Sequence, residues 1–118
     1  IFGYDKIGFS LLRQFNKMGK KYLVVDYNPE VIKYLETIKT NCMYGDAEDT
    51  TLLDELELSK RKMVISAIPV LEVNLLILKK IREYSDKTIV ILVSNSIKNC
   101  REKRIQFREI RQRQKSSY

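Results

Sequence analysis

Short runs of β-branched and aliphatic residues alternate with helix-like segments over the first 95 residues, and this alternation limits the fold more than any other feature. The clearest strand runs, Lys62–Ile68 and Thr88–Val93, are almost continuously apolar. Strands of this kind are typical of a parallel sheet that is buried on both faces under helices. The strand–helix–strand order predicts right-handed βαβ units. We therefore expect an α/β domain with a doubly wound parallel sheet.

Apolar spacing and end signals locate the individual elements. Helices are predicted at Ile7–Met18, from Pro29 after an Asn28 cap, at Glu48–Leu58 and at Val70–Tyr84. The two remaining strands are predicted at Tyr22–Val25, ending at Asp26, and at Asn41–Tyr44, closing at Gly45. Only Ile1 and Phe2 precede the first glycine turn, so the sequence is predicted to start inside its first strand, as a piece of a longer chain.

The positive charge is confined to the end of the chain. Its 118 residues fit one domain, since domains most often have about 100–150 residues. Residues 97–118 carry eight Lys and Arg against two Glu, a net +6 that leaves +1 for residues 1–96 out of the total of +7. We predict a domain over residues 1–96 and a basic tail, helical or disordered, over residues 97–118. A solvated extension and contact with anionic lipid, RNA or a partner chain are the alternatives for this tail.

The composition excludes most familiar catalytic chemistry. The chain has no histidine, which rules out Ser-His-Asp and Cys-His nucleophiles and His-ligated zinc. Its two cysteines, Cys42 and Cys100, cannot form a four-thiolate metal site and suggest a reduced, intracellular setting. No run approaches the roughly 20 apolar residues of a membrane span, and no signal peptide is visible. We predict neither catalytic residues nor a metal site.

Gly3 and Gly8 occupy the first and third glycine positions of the dinucleotide-binding fingerprint Gly-x-Gly-x-x-Gly. In that motif the first glycine makes a tight turn, the second lets the backbone approach a pyrophosphate, and the third packs helix on strand. An acidic residue is expected about 20 residues further on, at the next strand end, to bind the ribose hydroxyls. Asp26 lies 18 residues after Gly8, at such a strand end. A surface aspartate at a strand end is the plainer interpretation.

Four segments with this order and spacing resemble the RCK/KTN (TrkA-N) domain, namely Phe2–Gly8, Val24–Asp26, Tyr44–Ala47 and Ser66–Leu75. Members of that family are cytoplasmic Rossmann domains that regulate potassium channels, Trk and Ktr potassium uptake systems and Kef-type cation/proton antiporters. The resemblance covers residues 1 to about 95. It implies a cytoplasmic regulatory site for NAD(H) or for AMP, ADP or ATP, a homodimer, and a membrane-embedded transporter or antiporter as partner.

The resemblance also implies which residues form the nucleotide site. Carried over position by position, they are Gly3, Tyr4, Asp5, Lys6, Ile7, Gly8, Asp26, Tyr27, Gly45, Asp46, Ala47, Ala67 and Ile68. The residues from Gly3 to Gly8 would form the phosphate loop, and Asp26 would hold the ribose. Gly45–Ala47 would lie at the adenine end, and Ala67 and Ile68 would line the pocket.

Several of these residues have structural alternatives. Asp46 is as well placed to cap the helix predicted from Glu48 as to contact a ligand. Lys6, which could neutralise a phosphate, is also consistent with a solvated first-turn residue. Glu72 and Asn74 match an acidic-x-Asn element of the family, and Asn74 could instead bond its helix neighbours or a partner chain.

Asp5 departs from the fingerprint, because it places a carboxylate where the second glycine should admit a pyrophosphate. Three interpretations are open: the ligand is not a full dinucleotide, Asp5 turns outward, or the site is degenerate. We expect Asp5 to occupy the anion position itself and to cap the helix that begins near Ile7.

The leading functional prediction is a non-catalytic, nucleotide-sensing domain of a potassium-transport or cation/proton antiport system. One alternative is a fragment of an NAD-dependent oxidoreductase, although the Tyr-x-x-x-Lys pair of short-chain dehydrogenases is absent. Another is a protein that binds nucleic acid through its basic tail. Basic character alone does not identify a nucleic-acid partner, and none is expected.

Overall fold

The computed structural model describes residues 1–93, which form an alternating series of helices and strands. The predictions for the basic tail lie outside these residues. The helices are α1 (Lys6–Lys17), α2 (Pro29–Thr37), α3 (Thr50–Glu55) and α4 (Leu71–Arg82), with a short 3-10 helix at Leu58–Lys60. The strands are β1 (Val24–Asp26), β2 (Cys42–Tyr44), β3 (Met63–Ser66) and β4 (Ile89–Leu92).

The strands are parallel and form two pairs, β1 with β2 and β3 with β4. The N-terminal segment, residues 1–3, lies between the pairs, and Phe2 forms parallel bridges with Val25 on one side and Ser66 on the other. The resulting order is β2, β1, N-terminal segment, β3, β4. This arrangement confirms the predicted doubly wound α/β fold, and it confirms that the first residues occupy a strand position.

Helices pack on both faces of the sheet and create two apolar clusters. The larger cluster contains Phe2 and Val25 with residues of α3 and α4, such as Leu53 and Ile77. The smaller one, on the other face, contains Leu12 of α1, Val24 of β1 and Leu35 of α2. Full burial of one such side chain contributes about 1.5–3 kcal/mol. The alternation of Val24 and Val25 between the clusters shows that β1 is covered on both faces.

The third helix differs from its prediction at both ends. Instead of Glu48–Leu58, α3 covers only Thr50–Glu55. Its start is fixed by Asp49, whose carboxylate accepts hydrogen bonds from the backbone N–H groups of Thr51 and Leu52. After α3 the chain turns at Glu57, which has a left-handed φ of 49°, and continues as the 3-10 helix. The apolar residues of the predicted segment nevertheless reach the core, since Leu53 and Leu56 are buried.

The expectation that the strands are buried on both faces is wrong at the β4 side of the sheet. Ile89 and Ile91 of β4 are 54% and 44% exposed, and Met63 of β3, which pairs with Ile89, is 41% exposed. These three residues lie on the α1/α2 face, and we call them the apolar strip. They remain accessible because α1 and α2 pack against the β1 side, and no helix within residues 1–93 covers them.

Asn74 connects the carboxyl ends of β3 and β4. Its side chain is fully buried, and Nδ2 donates to the carbonyl oxygens of Ile68 at 2.9 Å and of Val93 at 3.3 Å. Asn74 therefore holds the chain after β3 against the chain after β4. Of the two alternatives for this residue, the structure favours an intramolecular role, although the bonded groups are strand ends rather than helix neighbours.

We predict that Asn74→Leu lowers the free energy of unfolding by about 1–3 kcal/mol, because the carbonyl of the half-buried Ile68 loses its side-chain donor. Asn74→Asp should lower it further, since a carboxylate would face two carbonyl oxygens. Urea unfolding measures both effects. The exposed neighbour Glu72 provides the control, and Glu72→Gln should change the value by no more than about 0.5 kcal/mol. An Asn74→Leu variant as stable as the parent would contradict this role.

Candidate functional site

The candidate site lies at the carboxyl edge of the sheet, where the strand order reverses. From the N-terminal segment the chain continues to β1 and β2 on one side, then crosses to β3 and β4 on the other. Such a switch point leaves a crevice between the two connections, and ligands of open α/β sheets bind there. Most of the predicted site residues follow the ends of the N-terminal segment, β1, β2 and β3.

The two glycines of the loop allow a close approach between backbone segments. Gly3 has φ of 86°, in the left-handed region, and a Cβ there would lie 3.2 Å from Cγ1 of Ile68. At Gly8 a Cβ would lie 3.0 Å from the carbonyl oxygen of Gly3, so α1 packs directly on the turn. These are the geometric roles of the first and third glycines in the fingerprint. Gly3 thereby brings the loop against Ile68 and Ala67, at the end of β3.

Asp26 is attached to the loop by its carboxylate. Oδ2 accepts a hydrogen bond from the backbone N–H of Tyr4 at 2.9 Å, and Oδ1 accepts one from the N–H of Asn28 at 2.8 Å. These two bonds fix the orientation of the carboxylate at the end of β1. A carboxylate has about four acceptor positions, so the half-buried Asp26 keeps capacity for two further donors.

Asp5 caps α1, as the sequence predicted. Its Oδ1 accepts hydrogen bonds from the N–H groups of Ile7 at 2.9 Å and Gly8 at 3.0 Å. The backbone of Asp5 is extended, with φ of −125°, and therefore unstrained. The interpretation that Asp5 turns outward is wrong, because its carboxylate lies on the helix N-terminus. Those N–H groups are the donors that a phosphate uses in this motif.

The segment after β2 adjoins Asp26 through the backbone, since the N–H of Gly45 donates to the carbonyl oxygen of Asp26 at 3.0 Å. Asp46 accepts from the N–H of Glu48 at 2.9 Å and so closes a turn. Of the two alternatives for Asp46, capping of the following helix is wrong, because the cap of α3 is Asp49. Ala47 is buried in the larger apolar cluster.

The remaining predicted site residues differ in burial and in their contact with the loop. Ala67 is buried and Ile68 half-buried beside Gly3, while the side chains of Lys6, Ile7 and Tyr27 are exposed. Exposure of Lys6 fits both a solvated residue and one available to an anion. Tyr27 directly follows Asp26 but makes none of the hydrogen bonds that join the loop to β1.

Sequence reasoning missed two contacts that shape the site. One is the N–H of Asn28, which orients Asp26; an Asp two residues before a potential donor is a known turn signal that could have indicated it. The other is the packing of Tyr4 against Tyr34 of α2, with ring centroids 6.2 Å apart. The pKa of Tyr4 is raised, mainly because the side chain is partly buried and to a smaller extent because Tyr34 and Tyr22 are close to it. No local pattern indicates this long-range pair.

Groups suited to covalent or metal chemistry are not assembled within residues 1–93. Burial, with the nearby Glu36 carboxylate, raises the pKa of the Cys42 thiol and so disfavours the nucleophilic thiolate. No group of three or more Cys, Asp and Glu side chains in this part of the chain could hold a metal ion. None of its helices is long and apolar enough to cross a bilayer.

The fold and the loop geometry define a Rossmann-like domain of the nucleotide-binding type. The chain belongs to the TrkA-N domain family, whose match covers residues 1–109. TrkA-N domains are typically non-catalytic regulatory domains.

The solved structures that are similar to this chain include two domains with matching folds. The NAD(P)-binding domain of an exopolyphosphatase-related protein from Archaeoglobus fulgidus is 31% identical, with a TM-score of 0.74, over 93% of this chain and 79% of the other. The TrkA-N domain of the inner membrane protein YbaL from Escherichia coli is 16% identical, with a TM-score of 0.76, over 92% and 78%. The second likeness concerns the fold alone. No curated protein matches the sequence.

The cap at Asp5 predicts a measurable stability effect. Asp5→Ala should lower the free energy of unfolding by about 0.5–2 kcal/mol, because the N–H groups of Ile7 and Gly8 lose their acceptor, whereas Asp5→Asn should retain most of it. Thermal or urea unfolding of the ligand-free protein checks this. If Asp5→Ala were as stable as Asp5→Asn, the carboxylate would not be acting as a cap.

Proposed function

We propose that the chain is the regulatory domain of a potassium-transport or cation/proton antiport system, and that it binds an adenine nucleotide at the cytoplasmic face of the membrane. The observation that carries this proposal is the anchored Asp26 carboxylate beside the Gly3 turn, at the switch point of the sheet. An acidic side chain in this position suits the two ribose hydroxyls of an adenosine moiety.

Membership of the TrkA-N family supports this function, as does the similarity to the A. fulgidus domain, which is described as NAD(P)-binding. From that domain we extend a nucleotide ligand to this chain. Family membership is the ground on which we propose a membrane transporter or antiporter as partner. Binding of NAD(H), AMP, ADP or ATP would then alter transport through the domain, without any chemical conversion of the nucleotide.

An NAD-dependent oxidoreductase is the rival that the same fold would allow. That activity needs a proton-transfer group near the cofactor, but the chain has no histidine, and the pKa of Tyr4 is raised rather than lowered. Incubation with NAD(H) and a panel of alcohols and ketones should give no turnover. Sustained oxidation or reduction of the cofactor would favour the rival.

Asp26→Ala is expected to weaken adenine-nucleotide binding at least tenfold. Hydrogen bonds to a charged group contribute about 1.5–3 kcal/mol each, and about 1.4 kcal/mol corresponds to a factor of ten. Isothermal titration with AMP and NAD measures the loss, and Asp49→Ala, which removes a carboxylate from the cap of α3, should leave the affinity unchanged.

A folded Asp26→Ala variant with the affinity of the parent would remove Asp26 from the site. The variant must therefore be compared by circular dichroism, because it also removes the acceptor of the Tyr4 N–H. The parent should further discriminate against NADP, whose 2′-phosphate would meet the Asp26 carboxylate.

The proposed homodimer has a candidate surface in the apolar strip. Exposed apolar patches on otherwise polar surfaces often mark interaction sites. A charged side chain there should oppose association, so Ile91→Lys should shift the protein from dimer to monomer in analytical ultracentrifugation. The control is Ile38→Lys, at a comparably exposed position next to α2. Equal dimerisation in both variants would place the contact elsewhere.

A further inference from the structure

We propose that Asp5 replaces the nucleotide's pyrophosphate as the anion at the N-terminus of α1, so that the site selects adenosine and adenosine monophosphate over dinucleotides. This inference rests on the proposed function and specifies its ligand. It follows from three observations: the hydrogen bonds of the loop, the position of the Asp5 carboxylate, and the unused acceptor positions of the Asp26 carboxylate.

The backbone donors of the loop are largely used within the chain. The N–H of Gly3 donates to the carbonyl of Val25, and that of Tyr4 donates to Asp26. The N–H groups of Ile7 and Gly8 both donate to Asp5. Of the six residues from Gly3 to Gly8, only Asp5 and Lys6 keep an N–H without an acceptor in the described part of the chain. A pyrophosphate therefore finds two free N–H donors here, whereas release of Ile7 and Gly8 from the Asp5 cap would offer four.

The negative charge of Asp5 at the N-terminus of α1 also disfavours binding of a pyrophosphate. The Asp5 carboxylate lies within hydrogen-bond distance of the first turn of α1, where the helix dipole favours a single negative group. A pyrophosphate entering there would either lie beside this carboxylate or displace it and break the cap. The side chain of Lys6 is the nearest cation in sequence, and it is exposed to solvent, which screens its charge.

The nucleoside end of the site is unaffected by Asp5. Both oxygens of Asp26 keep acceptor capacity for ribose hydroxyls, and the adjoining Gly45 positions the chain after β2 next to the same strand end. The penalty therefore grows with the number of phosphate groups that a ligand must place on the capped loop. It is absent for adenosine, which has none, moderate for AMP, which has one, and largest for NAD, which has two.

Three proteins and three ligands test this gradient. The parent, Asp5→Asn and Asp5→Gly are titrated calorimetrically with adenosine, AMP and NAD at one ionic strength. Asn keeps a capping oxygen but removes the charge, and Gly restores the fingerprint and frees both N–H groups. Asp49→Asn is the matched control, because Asp49 caps α3 with the same pair of bonds, in the connection that follows β2.

In the parent we expect AMP to bind more tightly than NAD. Asp5→Gly should tighten NAD binding about tenfold or more, a change that requires only about 1.4 kcal/mol. Asp5→Asn should give a smaller gain. AMP should gain less than NAD in each variant, and the affinity for adenosine should not change. Asp49→Asn should resemble the parent for all three ligands.

Two results would overturn the inference, and they differ in what they mean for the proposed function. If NAD binds the parent as tightly as it binds both Asp5 variants, the carboxylate does not compete with the pyrophosphate, and the proposed function stands without this selectivity. If none of the ligands binds the parent or either variant, the proposed nucleotide site fails, and the inference fails with it.

Discussion

The backbone hydrogen bonds of residues 1–3 hold the two halves of the sheet together. On one side, the N–H of Val25 donates to Ile1 and the N–H of Gly3 donates to Val25; on the other, Phe2 donates to Ile65 and accepts from Ala67, all within 2.8–2.9 Å. Without this segment, β1–β2 and β3–β4 would be two separate pairs. Its central position also brings Phe2 into the larger apolar cluster, under α3 and α4.

The same segment generates the candidate site. The loop after Phe2 turns between the ends of β1 and β3, so Gly3 meets Ile68 while Tyr4 bonds to Asp26. Two carboxylates have different roles at this edge: Asp26 faces the loop with unused acceptor capacity, and Asp5 neutralises the N-terminus of α1. Such a site is suited to the sugar of a nucleotide. It disfavours a pyrophosphate at the helix N-terminus, because Asp5 already supplies a negative charge there.

Much of this arrangement could be predicted from local patterns. The glycine spacing, the strand end at Asp26, the Asn28-Pro29 helix start and the cap at Asp5 are all local signals, and the structure has each where it was expected. The bounds of α3 were predicted wrongly, because Asp46 and Asp49 are both plausible caps and only the turn at Gly45–Glu48 selects Asp49. The exposure of Ile89 and Ile91 was missed, since an apolar run does not reveal which helices reach it.

The proposed binding mode is that a nucleotide contacts the Asp26 end of the site while Asp5 keeps its hydrogen bonds to α1. Amide chemical shifts of the full chain test this binding mode directly. During titration with AMP, we expect the largest changes in 1H–15N spectra at Tyr4 and Gly45, whose N–H groups adjoin Asp26. The amides of Ile7 and Gly8 should change little, because Asp5 continues to hold them. Large changes at Ile7 and Gly8 with none near Asp26 would contradict the account, as would a spectrum in which no amide at this edge of the sheet responds.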